Sequence, residues 1–193
     1  MGMSSPKAVI MDETAISRAI TRIAHEIVEK NEGVENLALV GIVTRGDLLA
    51  KKLVDEIERI EGVRVELGSL DISFYRDDFA TFAPEVHASK VEFNVDGKRI
   101  VLVDDILYTG RTIRAALDAI MDLGRPSRVE LAVLVDRGHR ELPICPDFVG
   151  KNVPSAHNEN VRLYLQEVDG RTTVEIFDVE PGSRVGSAPL GGE

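Results

Sequence analysis

The sequence has a single cysteine and no tryptophan among its 193 residues. One cysteine, Cys145, excludes an intrachain disulfide and any metal site built from several cysteines. Long apolar runs are also missing, since stretches such as residues 131–135 fall far short of the roughly 18 residues that a membrane span needs. The N-terminal residues contain no long apolar segment typical of a secretory signal. These absences predict a cytoplasmic protein without a membrane span.

Positive charge is in deficit, because 23 lysines and arginines stand against 33 aspartates and glutamates, which gives a formal net charge of -10. A surface covered in positive potential is thereby excluded, and binding to nucleic acid would need a local basic patch. The hydrophobic share of 44% and charged share of 29% are typical of a globular domain. We expect one domain over residues 1–180, with a flexible loop at 71–94 and a disordered Gly/Pro/Ser-rich tail at 181–193.

Strand and helix patterns alternate along most of the chain. Hydrophobic periodicity predicts helices over residues 12–30, 47–60 and 111–123, and strands over residues 37–42, 63–72, 99–104 and 128–135. This order implies parallel strands joined by right-handed crossovers, with helices on the faces of the sheet. Residues 161–168 and 172–179 flank Asp-Gly-Arg, which predicts a β-hairpin. We therefore expect an α/β fold with a central, mostly parallel sheet flanked by helices and a C-terminal β-hairpin.

The segment VLVDDILYTGRT, residues 101–112, joins an apolar strand to two carboxylates and then to a Thr- and Gly-containing turn before a helix. Ligands of parallel α/β sheets bind beyond the carboxyl ends of the strands. The turn offers amides, hydroxyls and a helix N-terminus to a phosphate, whereas Asp104 and Asp105 would repel a simple anion. A sugar phosphate suits both parts, because the carboxylates accept hydrogen bonds from ribose hydroxyls and oppose positive charge that develops on the anomeric carbon.

Two further segments follow predicted strands. In GIVTRGD, residues 41–47, the Thr44 hydroxyl and the Arg45 guanidinium suit pyrophosphate oxygens and Gly46 permits an unusual backbone path, although Thr-Arg-Gly alone is a common surface turn. LDISFYRDD, residues 70–78, opens the predicted loop. Its candidates are Tyr75 and Arg76, whose alternative roles are packing and a surface ion pair. Closure of such a loop would exclude water from a group transfer.

Residues 101–113 resemble the phosphoribosyl-pyrophosphate (PRPP) binding motif of the type I phosphoribosyltransferases. The resemblance implies that family's fold with its small hood, displacement of pyrophosphate from the ribose by a nitrogenous base, and Mg²⁺ bridging substrate oxygens. The implied catalytic residues are Asp104, Asp105, Arg45, Tyr75 and Arg76, with the two aspartates also near Mg²⁺, directly or through water. The implied PRPP contacts are Thr44, Arg45, Gly46, Val101, Leu102, Val103, Asp104, Asp105, Ile106, Leu107, Tyr108, Thr109, Gly110, Arg111, Thr112 and Ile113.

A narrower resemblance covers about residues 7–168. AVLVDRGHRELP (132–143), DFVGKNVPS (147–155), RIAHEI (22–27), FYRDD (74–78) and GRP (124–126) resemble the PyrR family of pyrimidine-operon regulators with uracil phosphoribosyltransferase activity. This implies formation of UMP from uracil and PRPP, UMP- or UTP-dependent binding of a pyrimidine-operon mRNA leader that regulates transcription, and a homodimer or homotetramer. The implied uracil-binding residues are Val135, Asp136 and Arg137. A purine or other salvage phosphoribosyltransferase without RNA binding remains the alternative.

A basic face on the first predicted helix is compatible with RNA binding. Arg18, Arg22 and His25 fall within about 60° of one another at 100° per residue, apart from the apolar stripe and next to Thr21. The residues that match RNA-contact positions of the PyrR family are Thr21, Arg22, His25, His139, Arg140 and Lys151, and Arg18 joins them on the helix. One departure is that Cys145 stands where relatives usually have a basic residue.

Overall fold

The structure is a computed structural model that describes residues 6–75 and 89–179. The strands are β1 (Ala8–Met11), β2 (Leu37–Ile42), β3 (Glu66–Leu70), β4 (Arg99–Leu107), β5 (Arg128–Asp136), β6 (Phe148–Asn152), β7 (Glu159–Tyr164) and β8 (Thr173–Asp178). The helices are α1 (Glu13–Lys30), α2 (Gly46–Glu61), α3 (Arg111–Leu123) and α4 (Gln166–Asp169), with a 3₁₀ turn at Ser73–Tyr75. No helix within these ranges is long and apolar enough to cross a membrane.

Five parallel strands in the order β3-β2-β4-β5-β6 form the central sheet. Its inner strands are apolar because both faces are covered, and alternate side chains enter opposite layers. Val101 and Val103 pack with α1 and α2, whereas Ile100 and Leu102 pack with α3. The predicted parallel sheet flanked by helices is confirmed.

A second, antiparallel sheet has the strand order β1-β8-β7, and we call this sheet, together with α4 between β7 and β8, the hood. The predicted pairing of the C-terminal strands is confirmed, with Val161 opposite Ile176. The connection differs from the predicted tight turn, because the short helix α4 precedes Gly170, which adopts a left-handed φ of 71°. The carboxylate of Asp169, the last residue of α4, accepts a hydrogen bond from the amide of Leu165, the residue before the helix.

The three predicted helices form where expected, as α1, α2 and α3, and their ends have identifiable causes. The carboxylate of Asp12 accepts a hydrogen bond from the Ala15 amide and caps α1. Gly110 precedes α3 with a φ of 91°, a left-handed conformation that favours glycine. These two capping residues fix the directions from which the chain enters α1 and α3.

Several strand predictions need correction: β1 was not predicted, and the strand predicted over residues 161–168 ends at Tyr164. β4 does not end at Asp104 but continues to Leu107, because its pairing with β5 extends to Leu107 opposite Asp136. β6 was not predicted, since FVGKN mixes apolar and polar residues; it is an edge strand, where polar side chains are tolerated.

The predicted loop over residues 71–94 begins just after β3, and its later part pairs with β3 again. Backbone hydrogen bonds link Ser69 to Lys90 in both directions. Residues 76–88, which include Arg76, lie outside the described residues, as does the predicted tail at 181–193. The limits of the domain, the loop and the tail therefore stay predictions.

Candidate active site

A cleft of about 240 Å³ opens at the carboxyl end of the central sheet. Its position agrees with the rule that ligands of parallel sheets bind beyond the carboxyl ends of the strands. Three chain segments that are far apart in sequence therefore meet in one site. The lining residues are Ile42, Val43, Thr44, Arg45, Asp71, Ile72, Ser73, Asp104, Asp105, Ile106 and Thr112.

The loop after β2 lies directly against β4. A Cβ atom on Gly46 would stand 2.4 Å from the carbonyl oxygen of Val103, so only glycine permits this approach. The peptide bond between Val43 and Thr44 is cis. The close approach brings Thr44 and Arg45 to the cleft, on the same side as the acidic pair.

The acidic pair lies near the end of β4, and backbone amides orient both side chains. Asp104 accepts a hydrogen bond from the Asp105 amide at 2.9 Å, and Asp105 accepts one from the Ile106 amide at 2.8 Å. Burial at the base of the cleft raises the pKa of Asp105, although the positive charge of Arg45 acts in the opposite direction. Ionised carboxylates at this depth favour a ligand that brings hydroxyl donors or a cation.

The oxygen donors of the cleft suit Mg²⁺, which prefers oxygen ligands and is usually held by one or two carboxylates together with substrate phosphates. Asp104 and Asp105 are two such oxygen donors at the base of the cleft. Within residues 6–75 and 89–179, no group of three or more His, Cys, Asp or Glu residues could hold a metal ion. The residues fit Mg²⁺ that arrives with a phosphorylated ligand.

The turn between β4 and α3 is held by the chain that follows β5. The carbonyl oxygen of Thr109 accepts hydrogen bonds from the amides of Glu141 and Leu142. Arg111 forms an ion pair with Glu141 at 2.7 Å, whereas Thr112 lines the cleft. The turn therefore presents a hydroxyl and the N-terminus of α3 to the cleft.

The predicted uracil residues lie at the carboxyl end of β5, beside β4. Val135 is fully buried, and Asp136 accepts a hydrogen bond from the Gly138 amide. Arg137 is 2% exposed, and its guanidinium lies over the ring of Tyr108, 4.1 Å from the centroid. Burial lowers the pKa of Arg137. The three residues thus adjoin the PRPP-like motif, with the Arg137 side chain enclosed.

Part of the predicted RNA-binding set comes together where α1 meets β6. Arg18, Arg22 and His25 are exposed on α1. Arg22 donates to the carbonyl oxygen of Gly150 at 2.6 Å, which places it beside the exposed Lys151. A basic face on α1 therefore continues onto the edge strand of the sheet.

The remaining members of that set are more enclosed. Arg140 donates to the carbonyl oxygen of Tyr108 at 2.9 Å, within the PRPP-like motif. Nδ1 of His139 lies 3.1 Å from Nε2 of His157. Thr21 donates its hydroxyl to Glu56 of α2 at 3.2 Å. The structure thus joins His139 and Arg140 to the turn after β4 rather than to the α1 face.

Tyr75 is not among the lining residues of the cleft. Its hydroxyl donates to Asp122 near the end of α3 at 2.8 Å, and this contact raises the pKa of Tyr75. A catalytic role for this hydroxyl would require it to leave Asp122. The role stays a prediction, as does that of Arg76, which lies outside the described residues.

The chain is similar in sequence to known proteins over most of its length. The phosphoribosyl transferase domain model matches residues 9–167. The chain is 58% identical over 180 residues to the bifunctional protein PyrR of Acetivibrio thermocellus, covering 92% of this chain and 98% of that one. It is 60% identical over 172 residues to the bifunctional protein PyrR of Brevibacillus brevis, covering 88% and 96%. The chain belongs to the PyrR family. The resemblance drawn from the sequence is confirmed.

Solved structures agree on the fold. A hypoxanthine-guanine phosphoribosyltransferase from Bacillus anthracis matches with a TM-score of 0.69 and 17% identity, covering 91% of this chain and 99% of that one. A hypoxanthine phosphoribosyltransferase from Trypanosoma cruzi also gives 0.69, with 18% identity and coverage of 91% and 98%. At these identities the likeness shows the fold alone, and the predicted type I phosphoribosyltransferase fold is confirmed.

Two acidic residues at or next to the cleft were not predicted from the sequence. Asp71 lines the cleft and accepts a hydrogen bond from the Ser73 amide, and its position directly after β3 was a usable signal. Asp169 contacts Arg45 at 2.9 Å. No spacing in the sequence connects Asp169 with Arg45, because their contact depends on how the hood packs against the central sheet.

Proposed function

We propose that this protein transfers a phosphoribosyl group from PRPP to uracil, releasing pyrophosphate and forming UMP, and that it binds a pyrimidine-operon mRNA leader in response to UMP or UTP. The observation that carries the enzymatic part is that Arg45, Asp105 and Thr112 line one cleft at the carboxyl edge of the sheet. The family assignment supports both parts, because relatives at 58% and 60% identity are named bifunctional PyrR proteins.

Three groups of residues at the cleft each bind one part of PRPP. The turn from Thr109 to Thr112 receives the 5′-phosphate, because it combines hydroxyls with the N-terminus of a helix of 13 residues. Asp104 and Asp105 accept hydrogen bonds from the ribose hydroxyls. Thr44, Arg45 and Gly46 bind the pyrophosphate, for which the guanidinium offers several N–H donors. This division explains why carboxylates and an anion site stand side by side.

Catalysis rests on positioning and charge rather than on a protein nucleophile. As the bond from C1 of the ribose to pyrophosphate breaks, positive charge grows on the sugar, and the two carboxylates face it. Arg45 stabilises the negative charge that accumulates on pyrophosphate. Mg²⁺ bound with PRPP would neutralise the leaving group, with Asp104 and Asp105 as its protein partners, directly or through water.

Uracil is proposed to bind at the end of β5. Val135 and Asp136 end the strand that pairs with β4, so a base at this point is adjacent to a ribose held by the acidic pair. The enclosed Arg137 side chain supports the wall of this pocket through its contact with Tyr108.

The RNA-binding role gains support from one contact between the two sets of residues. Arg140 donates to the carbonyl oxygen of Tyr108, so a residue of the proposed RNA surface is bonded to the PRPP motif itself. UMP in the cleft therefore acts on the RNA surface through a direct neighbour. Arg18, Arg22 and Lys151 supply exposed positive charge for phosphate contacts. We expect a cytoplasmic homodimer or homotetramer.

The enzymatic proposal is tested with a base panel of uracil, hypoxanthine, guanine and orotate, each with PRPP and Mg²⁺. We expect nucleotide formation from uracil only, and its loss in Asp104→Asn and Asp105→Asn variants. Preferred use of hypoxanthine or guanine would contradict the uracil assignment and favour a purine salvage enzyme.

The regulatory proposal is tested by titrating a pyrimidine-operon leader RNA with and without UMP. UMP is expected to tighten binding, and Arg22→Ala and His139→Ala are expected to weaken it. Because Arg22 also bonds to β6, circular dichroism must show that the Arg22→Ala variant remains folded. An RNA affinity unaffected by UMP would contradict the sensing role.

A further inference from the structure

Asp169, a hood residue outside the PRPP motif, makes a defined contact with the pyrophosphate loop. Its Oδ1 accepts a hydrogen bond from Nη2 of Arg45 at 2.9 Å, across 124 residues of sequence. The two side chains are 16% and 25% exposed, so the ion pair is largely shielded from water. A shielded pair of this kind is screened less by salt than an exposed one.

The carboxylate of Asp169 is itself fixed in orientation. Its second oxygen, Oδ2, accepts a hydrogen bond from the Leu165 amide at 2.8 Å, at the start of the short helix α4. Because one oxygen is bound to the backbone and the other to Arg45, rotation of the carboxylate would break both contacts. The hood thereby presents an oriented acceptor to the loop.

Arg45 is constrained from its other side as well. Its backbone carbonyl accepts the amide of Leu49 in the first turn of α2, and its Nε is buried without a hydrogen-bond partner within the described part of the chain. A guanidinium has five N–H donors, so the bond to Asp169 leaves others that can bind an anion. The contact holds the position of the group without using up its donors.

We propose that Asp169 is a positioning residue that holds the Arg45 guanidinium where it receives the pyrophosphate of PRPP, so that docking of the hood helps to build the PRPP site. The inference rests on the proposed function, because it takes Arg45 as a PRPP ligand. An arginine held in place before binding loses less side-chain entropy when the ligand arrives, and affinity is higher for that reason.

A neighbouring ion pair provides a matched control. Lys52 of α2 and Glu167 of α4 form an ion pair at 2.5 Å, but their side chains are 38% and 44% exposed and neither residue lines the cleft. Exposed ion pairs of this kind contribute little to the free energy of folding. Glu167→Gln therefore removes one carboxylate charge from α4, as Asp169→Asn does, but leaves the contact with Arg45 in place.

The experiment measures PRPP affinity by isothermal titration calorimetry in the presence of Mg²⁺, for the wild type, Asp169→Asn and Glu167→Gln. Asp169→Asn is expected to weaken PRPP binding by about three- to tenfold, the size expected for one freed arginine side chain. Glu167→Gln is expected to stay within about twofold of the wild type. Equal affinities for the two variants, or tighter binding by Asp169→Asn through reduced repulsion of pyrophosphate, would overturn the inference.

A double-mutant cycle separates positioning from a merely structural role. In an Arg45→Ala background, Asp169→Asn is expected to add less than about a twofold loss, because its effect passes through Arg45. A full additional loss would overturn the inference. If Asp169→Asn does not fold, Asp169→Glu carries the same comparison, since it keeps the charge but displaces the carboxylate by one methylene group.

The outcomes also separate this inference from the proposed function. A wild type that binds PRPP but forms no UMP would contradict the uracil assignment, while the PRPP titrations would still decide the role of Asp169. A wild type that does not bind PRPP would overturn both. Binding and UMP formation in the wild type, with an unaffected Asp169→Asn variant, would overturn the role of Asp169 alone.

Discussion

Arg137 lies over the ring of Tyr108, with its guanidinium carbon 4.1 Å from the ring centroid. Tyr108 belongs to the PRPP motif at the end of β4, whereas Arg137 follows β5 and donates to the carbonyl oxygen of Glu159 in the hood. One enclosed side chain therefore links the motif, the proposed uracil pocket and the hood. A change at Arg137 is therefore expected to affect the motif and the hood together.

Replacement of Arg137 by lysine is expected to lower the free energy of unfolding by about 2 kcal/mol, because an ammonium group cannot reproduce the planar stack and the forked hydrogen bonds of a guanidinium. Arg171→Lys is the matched control. Arg171 also lies over a tyrosine, Tyr164, at 3.9 Å, but its side chain is 45% exposed, so a loss below about 0.5 kcal/mol is expected. Urea denaturation measures both, and equal losses would show that burial of Arg137 does not matter.

Four of the five strands of the main sheet were predictable from sequence, because buried parallel strands are continuous apolar runs, whereas the edge strand β6 is not one. The Leu37–Ile42 strand was predicted with the bounds that the structure has. Asp104 and Arg45 could be assigned to one edge because carboxyl ends of parallel strands meet there. The ion pair between Arg45 and Asp169 could not be predicted, since it joins residues 124 positions apart and depends on how the hood packs against the sheet. The helix α4 was not predicted because it ends at a typical turn signal, Asp-Gly.

Asp105 is expected to trade stability for activity. Burial raises its folded pKa above the ordinary value of 3.8, so its ionised form destabilises the native state at neutral pH. This penalty declines as the pH falls through the raised pKa and is gone below 3.8. Asp105→Asn should therefore raise the melting temperature at pH 7.5 by about 2–4 °C, with the gain shrinking under acidic conditions. The same variant should lose UMP formation by about a hundredfold or more.

Thermal melts at several pH values test this prediction against Asp118→Asn. Asp118 is an exposed carboxylate on α3 that pairs with Arg114. Its substitution should leave both the melting temperature and turnover close to the wild type. A melting temperature for Asp105→Asn that falls at neutral pH would contradict the assignment of a destabilising charge.

Gly46 is expected to be essential for the pyrophosphate loop. In Gly46→Ala the new methyl group would stand 2.4 Å from the carbonyl oxygen of Val103, so the loop must move away from β4. Gly97→Ala is the control, because its left-handed φ of 72° strains an alanine although nothing lies within 4 Å. Both variants should lose about 1 kcal/mol or more of stability, and only Gly46→Ala should lose PRPP affinity. Calorimetry with PRPP and Mg²⁺ distinguishes them.

Attachment of the chain start to the hood is expected to weaken in acid. Lys7 contacts Glu159 at 2.5 Å, and this hydrogen bond lowers the pKa of Glu159 from its ordinary value of 4.5. A lowered folded pKa stabilises the protein above the ordinary value, and the contribution is lost as the pH falls through the folded pKa. Wild type should therefore be more stable than Glu159→Gln at pH 7, with a smaller difference below pH 4.5.

Denaturation curves at both pH values give the comparison, with Glu61→Gln as a variant of an exposed carboxylate at the end of α2. The Glu61→Gln difference from the wild type should remain small at each pH. A Glu159→Gln difference that stays constant between the two pH values would show that ionisation of Glu159 does not stabilise the hood.

The exposed Cys145 marks the place where added positive charge should strengthen RNA binding. Arg140 donates to the carbonyl oxygen of Ile144, the residue before Cys145, so position 145 adjoins the proposed RNA surface. Cys145→Arg should tighten binding of a pyrimidine-operon leader and steepen its salt dependence by about 0.7, the value for one added contact with single-stranded nucleic acid. Val63→Arg, which adds the same charge at an exposed site away from this surface, should change neither quantity. Titrations at several salt concentrations with UMP present make the comparison, and equal behaviour of the two variants would place the RNA elsewhere on the protein.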